Sequence, residues 1–500
     1  IANGDWSSDV CSSDLKSIRK TDAEMRINME KKNTWETYSS KQLKELEKIN
    51  AQYRDFLDNG KTERECIDTI VNTIEKSGYR ELESLIKEGA ALKTGDKVYS
   101  VWMNKSIAMF QIGRKPMTDG MNILGAHIDS PRLDVKQNPL YEDGGFAYLD
   151  THYYGGVKKY QWVTIPLAIH GVIVKKDGTC VEINIGENED DPVFFVSDLL
   201  IHLAQEQLEK KAAKVIEGEA LDIIVGNKPL LIDKKDKKKD EKEAGKEAVK
   251  AGVLDILKET YDIHEEDFVS AELEIVPAGK AREAGFDRSM TLAYGQDDRV
   301  CAYTSMQAML DSDVTDRTMC CILVDKEEIG SVGATGMQSH FFENAVAEVM
   351  NLASEYSELN VRRCLAHSCM LSSDVSSAFD PTYASSFDKK NVAYLGGGMV
   401  INKFTGARGK SGSNDANAEY LAHLRHIFDK AEVNFQTAEL GKVDLGGGGT
   451  IAYILALYGM NVIDSGVAVL NMHAPWEATS KADVYEAYRG YKAFVEGASL

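Results

Sequence analysis

Two periods of hydrophobic residues run along this chain, and the places where one gives way to the other divide it. From Lys16 to about Leu92, apolar residues recur every three or four positions among many Lys and Glu, as at Leu43, Leu46, Ile49 and Tyr53, which predicts helices. Lys97 to Gly113 alternates as strands do, through Val98, Ser100 and Trp102, and Met121 to Ala126 is a short apolar strand that stops at His127. Between roughly Lys136 and Gly285 strand-like pieces come first, Tyr160 to Val174 and Thr179 to Ile185 among them, separated by Gly-Gly and Asp-Gly turns. A helix is predicted over Val196 to Lys211, and the dense mixed charge of Asp233 to Lys242 predicts a solvated loop. From Phe286 onward strands and helices alternate: a helix over Arg299 to Leu310, strands over Met319 to Val324 and near Cys364 to Leu371, and a helix over Asp415 to Lys430. The glycine run Gly446 to Gly449 then enters a helix over Ile451 to Tyr458, and a strand follows over Val467 to Met472.

Such alternation predicts an α/β fold: a mixed, mostly parallel sheet flanked by helices, interrupted by a β-rich insertion. The main domain takes residues 16–136 and 285–500, and the insertion takes 137–284. Residues 1–15 are rich in Ser and Asp, lack any period and match neither part; they read as a translated adaptor or a disordered tail.

Composition narrows the classes. The chain has 500 residues, 43% hydrophobic and 27% charged, which suits a soluble protein with a sizeable core. A formal net charge of −21 excludes nucleic acid and anionic membrane as expected partners, since a phosphate surface asks for a positive face. The sequence shows neither an apolar run near the roughly 20 residues of a membrane span nor a charged-then-apolar leader, so the expected location is the cytoplasm. Its eight cysteines form no CxxC pair; several sit in apolar runs, where a free thiol acts as a small hydrophobe. A metal site here would therefore use His and carboxylates.

Four apolar strands end in residues of that kind. They deliver His127 in Gly125-Ala126-His127-Ile128-Asp129-Ser130, Glu327 and Glu328 after Val324, Asp374 in Leu371-Ser372-Ser373-Asp374, and His473 in Asn471-Met472-His473. A fifth acid, Asp297, opens a helix in Gly295-Gln296-Asp297-Asp298-Arg299. Taken singly, each has an ordinary reading: a satisfied polar residue for a lone His, a helix N-cap for Asp297-Asp298, a solvated pair for Glu327-Glu328. Together they predict convergence at the carboxyl ends of one sheet, where open α/β folds bind ligands. Two His and three or four carboxylates are too many for one tetrahedral ion that keeps a water. They suit two divalent ions, zinc or a similar metal, sharing a bridging carboxylate. The Gly446 to Gly449 run lacks the GxxxxGK[ST] pattern and reads as close backbone approach at a site wall.

These segments, with Pro131 and Ile329-Gly330-Ser331 beside them, resemble the metal-site signatures of the aspartyl aminopeptidase family, in its bacterial branch, in order from about Lys16 to Leu500. The resemblance implies a cytosolic dizinc aminopeptidase that removes the N-terminal residue of peptides. It implies His127 and Asp374 on one ion, Glu328 and His473 on the other, and Asp297 bridging; Zn2+ is expected, with Co2+ or Mn2+ as substitutes. Glu327 would be the general base, and Asp129 would orient His127. The family's β-rich insertion dimerises and its dimers build tetrahedral dodecamers, and His202 resembles a His that reaches a neighbouring subunit's active site. After Asp374 the eukaryotic members carry His residues where this chain has Val375 to Pro381, so their substrate contacts, and a strict preference for N-terminal Asp or Glu, are not carried over. The basic loop Asn402 to Gly412, with Lys403, Arg408 and Lys410, reads equally as a reader of acidic side chains and as an exposed solubilising loop. A deacylase of the same chemistry acting on small amides, and a catalytically silent assembly protein, are the rival readings.

Overall fold

A computed structural model describes residues 33–230, 247–406 and 408–499. The first fifteen residues and the charged run Asp233 to Lys242 lie outside the described residues.

A nine-stranded sheet organises the main body, in the order Arg80–Glu81, Lys97–Trp102, Ser106–Gln111, Thr318–Val324, Met121–His127, Cys369–Ser372, Asn461–Gly466, Met399–Asn402, Phe435–Thr437. The four strands at its centre, Thr318–Val324, Met121–His127, Cys369–Ser372 and Asn461–Gly466, run parallel. The sheet is mixed because Ser106–Gln111 and Met399–Asn402 pair antiparallel at either side of that block. Parallel strands are buried on both faces, and runs such as Ile123 to Ala126, Met319 to Val324 and Cys369 to Leu371 are apolar for that reason. Their side chains nevertheless sort by parity. Leu124, Ala126, Cys321 and Leu323 enter one core, shared with helices Ser40–Asn59, Gln296–Leu310, Ala418–Lys430 and Lys481–Gly497. Ile123, Cys320, Ile322 and Val324 enter the other, shared with Leu82–Glu88, Phe341–Leu352, Glu358–His367 and Ala452–Ala456. The first two long helices begin at capping boxes, Ser39 with Gln42 and Thr62 with Glu65, which satisfy their leading N–H groups.

A second sheet of six strands, all antiparallel, runs Cys180–Ile185, Leu167–Val174, Ala271–Pro277, Arg132–Asp143, Phe146–Tyr154, Ile223–Gly226, with its own core against helix Ala248–Tyr261. A third, five-stranded sheet joins Arg282–Ala284, Met290–Ala293, Glu477–Ser480, Ala468–Leu470 and Ser376–Ser377.

Several expectations are corrected. Val196 to Lys211 is not one helix: only Gln205–Leu208 is helical, after a 3-10 turn at Ile201–Leu203. Bridges from Phe194 to Leu167 and from Phe195 to Ile224 hold the approach to this segment extended along the six-stranded sheet. The strand entered by Tyr160 begins only at Leu167, and Cys364 lies in the helix before Cys369–Ser372. The helix after the glycine run shrinks to Ala452–Ala456, and Gly446 approaches the backbone of Leu440, where an added Cβ would lie 1.7 Å from its carbonyl oxygen. The strand expected over Val467 to Met472 shortens to Ala468–Leu470 and belongs to the five-stranded sheet, while the strand just before it, Asn461–Gly466, is the one in the central sheet. Among the described residues no helix is long and apolar enough to cross a membrane.

Candidate metal centre

Four of the expected residues lie at the carboxyl ends of three adjacent parallel strands. His127 closes Met121–His127, Asp374 stands two residues beyond Cys369–Ser372, and Glu327 and Glu328 follow Thr318–Val324. A left-handed turn at Lys326 (φ 70°) swings the chain after Val324 into a single 3-10 turn that carries both glutamates. The other two residues come from the five-stranded sheet. Asp297 follows Met290–Ala293, and His473 lies in the turn joining Ala468–Leu470 to Glu477–Ser480. The centre is therefore built where two sheets meet, not on one sheet edge as the periodicity predicted.

Two groups of side chains offer ligand atoms within 4.8 Å of one another: His127, Asp297 and Asp374, and then Asp297, Glu328 and His473. Asp297 belongs to both. Its Oδ1 lies 3.4 Å from His127 Nε2, and its Oδ2 lies 3.2 Å from His473 Nε2. Both imidazoles present Nε2 to the centre because Nδ1 is engaged elsewhere. His127 Nδ1 is 3.0 Å from the Asp129 carbonyl oxygen, and His473 Nδ1 is 3.0 Å from that of Gly156. A ring that donates Nδ1–H keeps a lone pair on Nε2, the tautomer a metal needs.

Two buried carboxylates shape this arrangement without belonging to either group. Asp129 accepts the backbone N–H of Glu327 (3.1 Å) on Oδ1 and that of Glu328 (3.2 Å) on Oδ2, while Tyr154 donates its hydroxyl to Oδ2 at 2.8 Å. Glu477 accepts the backbone N–H of Asp297 (3.0 Å) and of His473 (2.7 Å) on its two oxygens. Sequence reasoning included Asp129 and missed Glu477 and Tyr154. No local signal marked either residue, since Glu477 acts on backbone N–H groups and Tyr154 comes from another sheet. The end of Phe146–Tyr154 also walls the centre through glycine. A Cβ on Gly155 would meet Glu328 Oε2 at 3.2 Å, and one on Gly156 would meet His473 Nδ1 at 3.3 Å.

The electrostatics of the protein alone show a site short of positive charge. Burial pushes the Glu327 carboxyl up to about 7 and raises Asp374 and Glu328 well above the usual carboxylate range. Burial also opposes charge on the imidazoles, yet contacts with Asp129 and Asp297 raise His127 well above its ordinary value, and Asp297 and Glu328 lift His473 to about 10. Asp297 Oδ1 and Glu328 Oε1 are buried with no hydrogen-bond partner among the described residues. Orphaned acceptors beside two imidazole lone pairs fit divalent cations bound through nitrogen and oxygen.

The remaining candidates stand apart from this cluster. His202 is exposed on the Ile201–Leu203 turn. Lys403 and Lys410 both pair with Asp415, Lys410 at 3.0 Å, and Lys410 also lies 3.8 Å from the Phe404 ring centroid. Arg408 is exposed in the same loop, whose backbone is left-handed at Arg408 and Lys410.

Comparison with known proteins accords with the geometry. The family model described as aminopeptidase I zinc metalloprotease (M18) matches residues 56–495. The probable M18 family aminopeptidase 1 of Clostridium acetobutylicum is 63% identical over 466 residues, covering 93% of this chain and 98% of its own length. The crystal structure of aminopeptidase I from that organism superposes with a TM-score of 0.85 at 60% identity, covering 93% of this chain and 99% of the other. The M18 aminopeptidase crystal structure from Thermotoga maritima reaches a TM-score of 0.88 at 44% identity, covering 94% of this chain and 100% of the other. A more distant fold relative, the mApe1 dodecamer of Saccharomyces cerevisiae, has a TM-score of 0.71 at 19% identity, covering 89% and 96%. The chain thus belongs to the M18 family of zinc metalloproteases, and it is an aminopeptidase.

Proposed function

We propose that this zinc aminopeptidase is a two-ion enzyme of the aspartyl aminopeptidase type, with His127 and Asp374 at one position, Glu328 and His473 at the other, and Asp297 shared between them. The observation that carries the reading is the double membership of Asp297, one carboxylate oxygen toward each imidazole at 3.4 and 3.2 Å. When bound, zinc at these positions would supply Lewis acidity to the scissile carbonyl and lower the pKa of a water in the site.

The protein's own groups do the rest. Glu327 belongs to neither ligand group, lies 3.9 Å from His127 Nε2 and is mostly buried, so it is the carboxylate placed to take the water's proton. Burial lifts its carboxyl toward about 7, which also suits it to hand that proton to the leaving amine. Asp129 fixes the backbone of Glu327 and keeps the base aimed while it changes charge. Glu327→Gln keeps the shape and removes the base: zinc content should stay at two per chain while kcat falls about 10²–10⁴-fold. A fully active Gln variant would reject the assignment.

The block 137–284 is proposed as an assembly domain, and the protein as a cytoplasmic homo-oligomer of dimers, dodecameric like the yeast relative. The support is an apolar strip, Leu199, Leu200, Ile201 and Leu203, that lies exposed around His202, which would reach a neighbouring subunit's site. Free thiols throughout the described residues suit a reducing compartment. A preference for acidic N-terminal residues would rest chiefly on Arg408, since Asp415 engages both lysines of the loop.

A further inference from the structure

We infer that Glu477 is a positioning residue that holds the Glu328–His473 cation position by fixing the distance between the two turns that form it. This rests on the two-ion reading above. Glu477 is 1% exposed and opens the strand Glu477–Ser480, which pairs with Met290–Ala293 so that Glu477 stands opposite Ala293. Two turns leave this pair of strands, one carrying Asp297 and the other carrying His473. The Glu477 carboxylate spans the gap between them, with Oε2 on the Asp297 N–H at 3.0 Å and Oε1 on the His473 N–H at 2.7 Å.

The two turns depend on it unequally. Asp297 is tied down elsewhere, because Ser130 Oγ donates to its carbonyl oxygen at 2.8 Å and it stands in the first turn of the helix Gln296–Leu310. His473 sits in a turn where Asn471 (φ 62°) and His473 itself (φ 65°) both adopt the left-handed region that side-chain-bearing residues avoid. The His473 ring meets Gly156, Asp297 and Glu328, and the turn is closed by the Ala474 N–H on the Asn471 carbonyl oxygen, but the His473 backbone N–H itself is held by Glu477. Glu477 is in turn anchored: Gln296 Nε2 donates to its carbonyl oxygen at 2.5 Å, and Gln296 Oε1 accepts from Thr479 at 2.7 Å and Tyr53 at 3.1 Å. The carboxylate is thus a fixed strut with two acceptors and two donors to meet.

Glu477→Gln replaces one acceptor with an NH2 group, so one of the two N–H groups must face a donor. The expected result is selective. In chelator competition, the wild type should hold two zinc ions per chain, and the Gln variant should hold the first with unchanged affinity and the second about 10–100-fold more weakly. Its kcat should fall and should recover when zinc is supplied in excess. A purely structural role would lower the melting temperature without separating the two affinities. Wild-type affinity at both positions, or equal weakening of both, would overturn the assignment to Glu477. Should the Gln variant not fold, Glu477→Asp, which shortens the strut by one methylene, is judged by the same measurements. His473→Ala isolates the underlying reading: if the wild type holds only one ion, or the Ala variant holds two as tightly as the wild type, the ligand assignment itself fails, whatever Glu477 does.

Discussion

Tyr154 ties the six-stranded sheet to the reactive centre, and removing a single oxygen atom measures that tie. Its hydroxyl donates to Asp129 Oδ2 at 2.8 Å, and Asp129 is fully buried. The same carboxylate accepts the N–H groups of Glu327 and Glu328 and lies 3.2 Å from His127 Nδ1. Tyr154→Phe opens no cavity and keeps the ring 4.0 Å from the Arg132 guanidinium, so the change is confined to one charge-assisted hydrogen bond. Such a bond is worth about 1.5–3 kcal/mol. If all of it is spent on aiming Glu327 in the transition state, kcat/KM falls about 10–150-fold at roughly 1.4 kcal/mol per decade. If all of it goes to folding, the same energy is missing from the unfolding free energy while kcat/KM stays put. Turnover of aminoacyl p-nitroanilides by zinc-saturated enzyme, beside denaturant unfolding of the same preparation, reads both shares. The two losses should add to that range, with the kinetic share appearing in kcat more than in KM. A Phe variant equal to the wild type in both measurements would refute the claim that Tyr154 holds Asp129.

Two further predictions lie away from this bond. His170 is fully buried with Nδ1 2.8 Å from Glu65 and Nε2 3.1 Å from Glu187, which also pairs with Lys61; only the doubly protonated ring can donate to both carboxylates. Burial opposes that charge, but the hydrogen bonds to Glu187 and Glu65 raise its pKa, so the stabilisation is complete below about pH 6.5 and lost as pH climbs through the raised value. His170→Gln should therefore cost about 1–3 kcal/mol in denaturant melts near pH 6 and distinctly less at alkaline pH; a pH-independent difference would contradict the imidazolium. Gly466 has no room for a side chain, since an added Cβ would lie 1.8 Å from the Asp374 carbonyl oxygen. Gly466→Ala should push Asp374 off its position, costing about 3 kcal/mol or more in stability and weakening zinc binding; retention of both would show that the strand yields freely.

What the linear pattern determined was the set of strand ends. A strand buried on both faces must be apolar throughout, so Met121–His127 and Thr318–Val324 announce themselves, and the polar residue that stops each one stands out against the run. His127, Glu327, Glu328 and Asp374 were readable for this reason. Asp297 was readable in a turn that opens a helix and His473 at the end of the apolar run Val467 to Met472, but the sheet they share was not. The strands that deliver them are three or four residues long, too short for a period to register, and their pairing with each other is a long-range matter. The segment Val196 to Lys211 failed for a related reason. Leucines at helical spacing look the same whether they face a core or lie exposed, and only the bridges to Leu167 and Ile224 decide. Tertiary structure alone brought Tyr154 from the six-stranded sheet to Asp129 and set Glu477 between two turns. Hydrogen bonds to backbone N–H groups leave no trace in composition or period, because every residue but proline carries that donor.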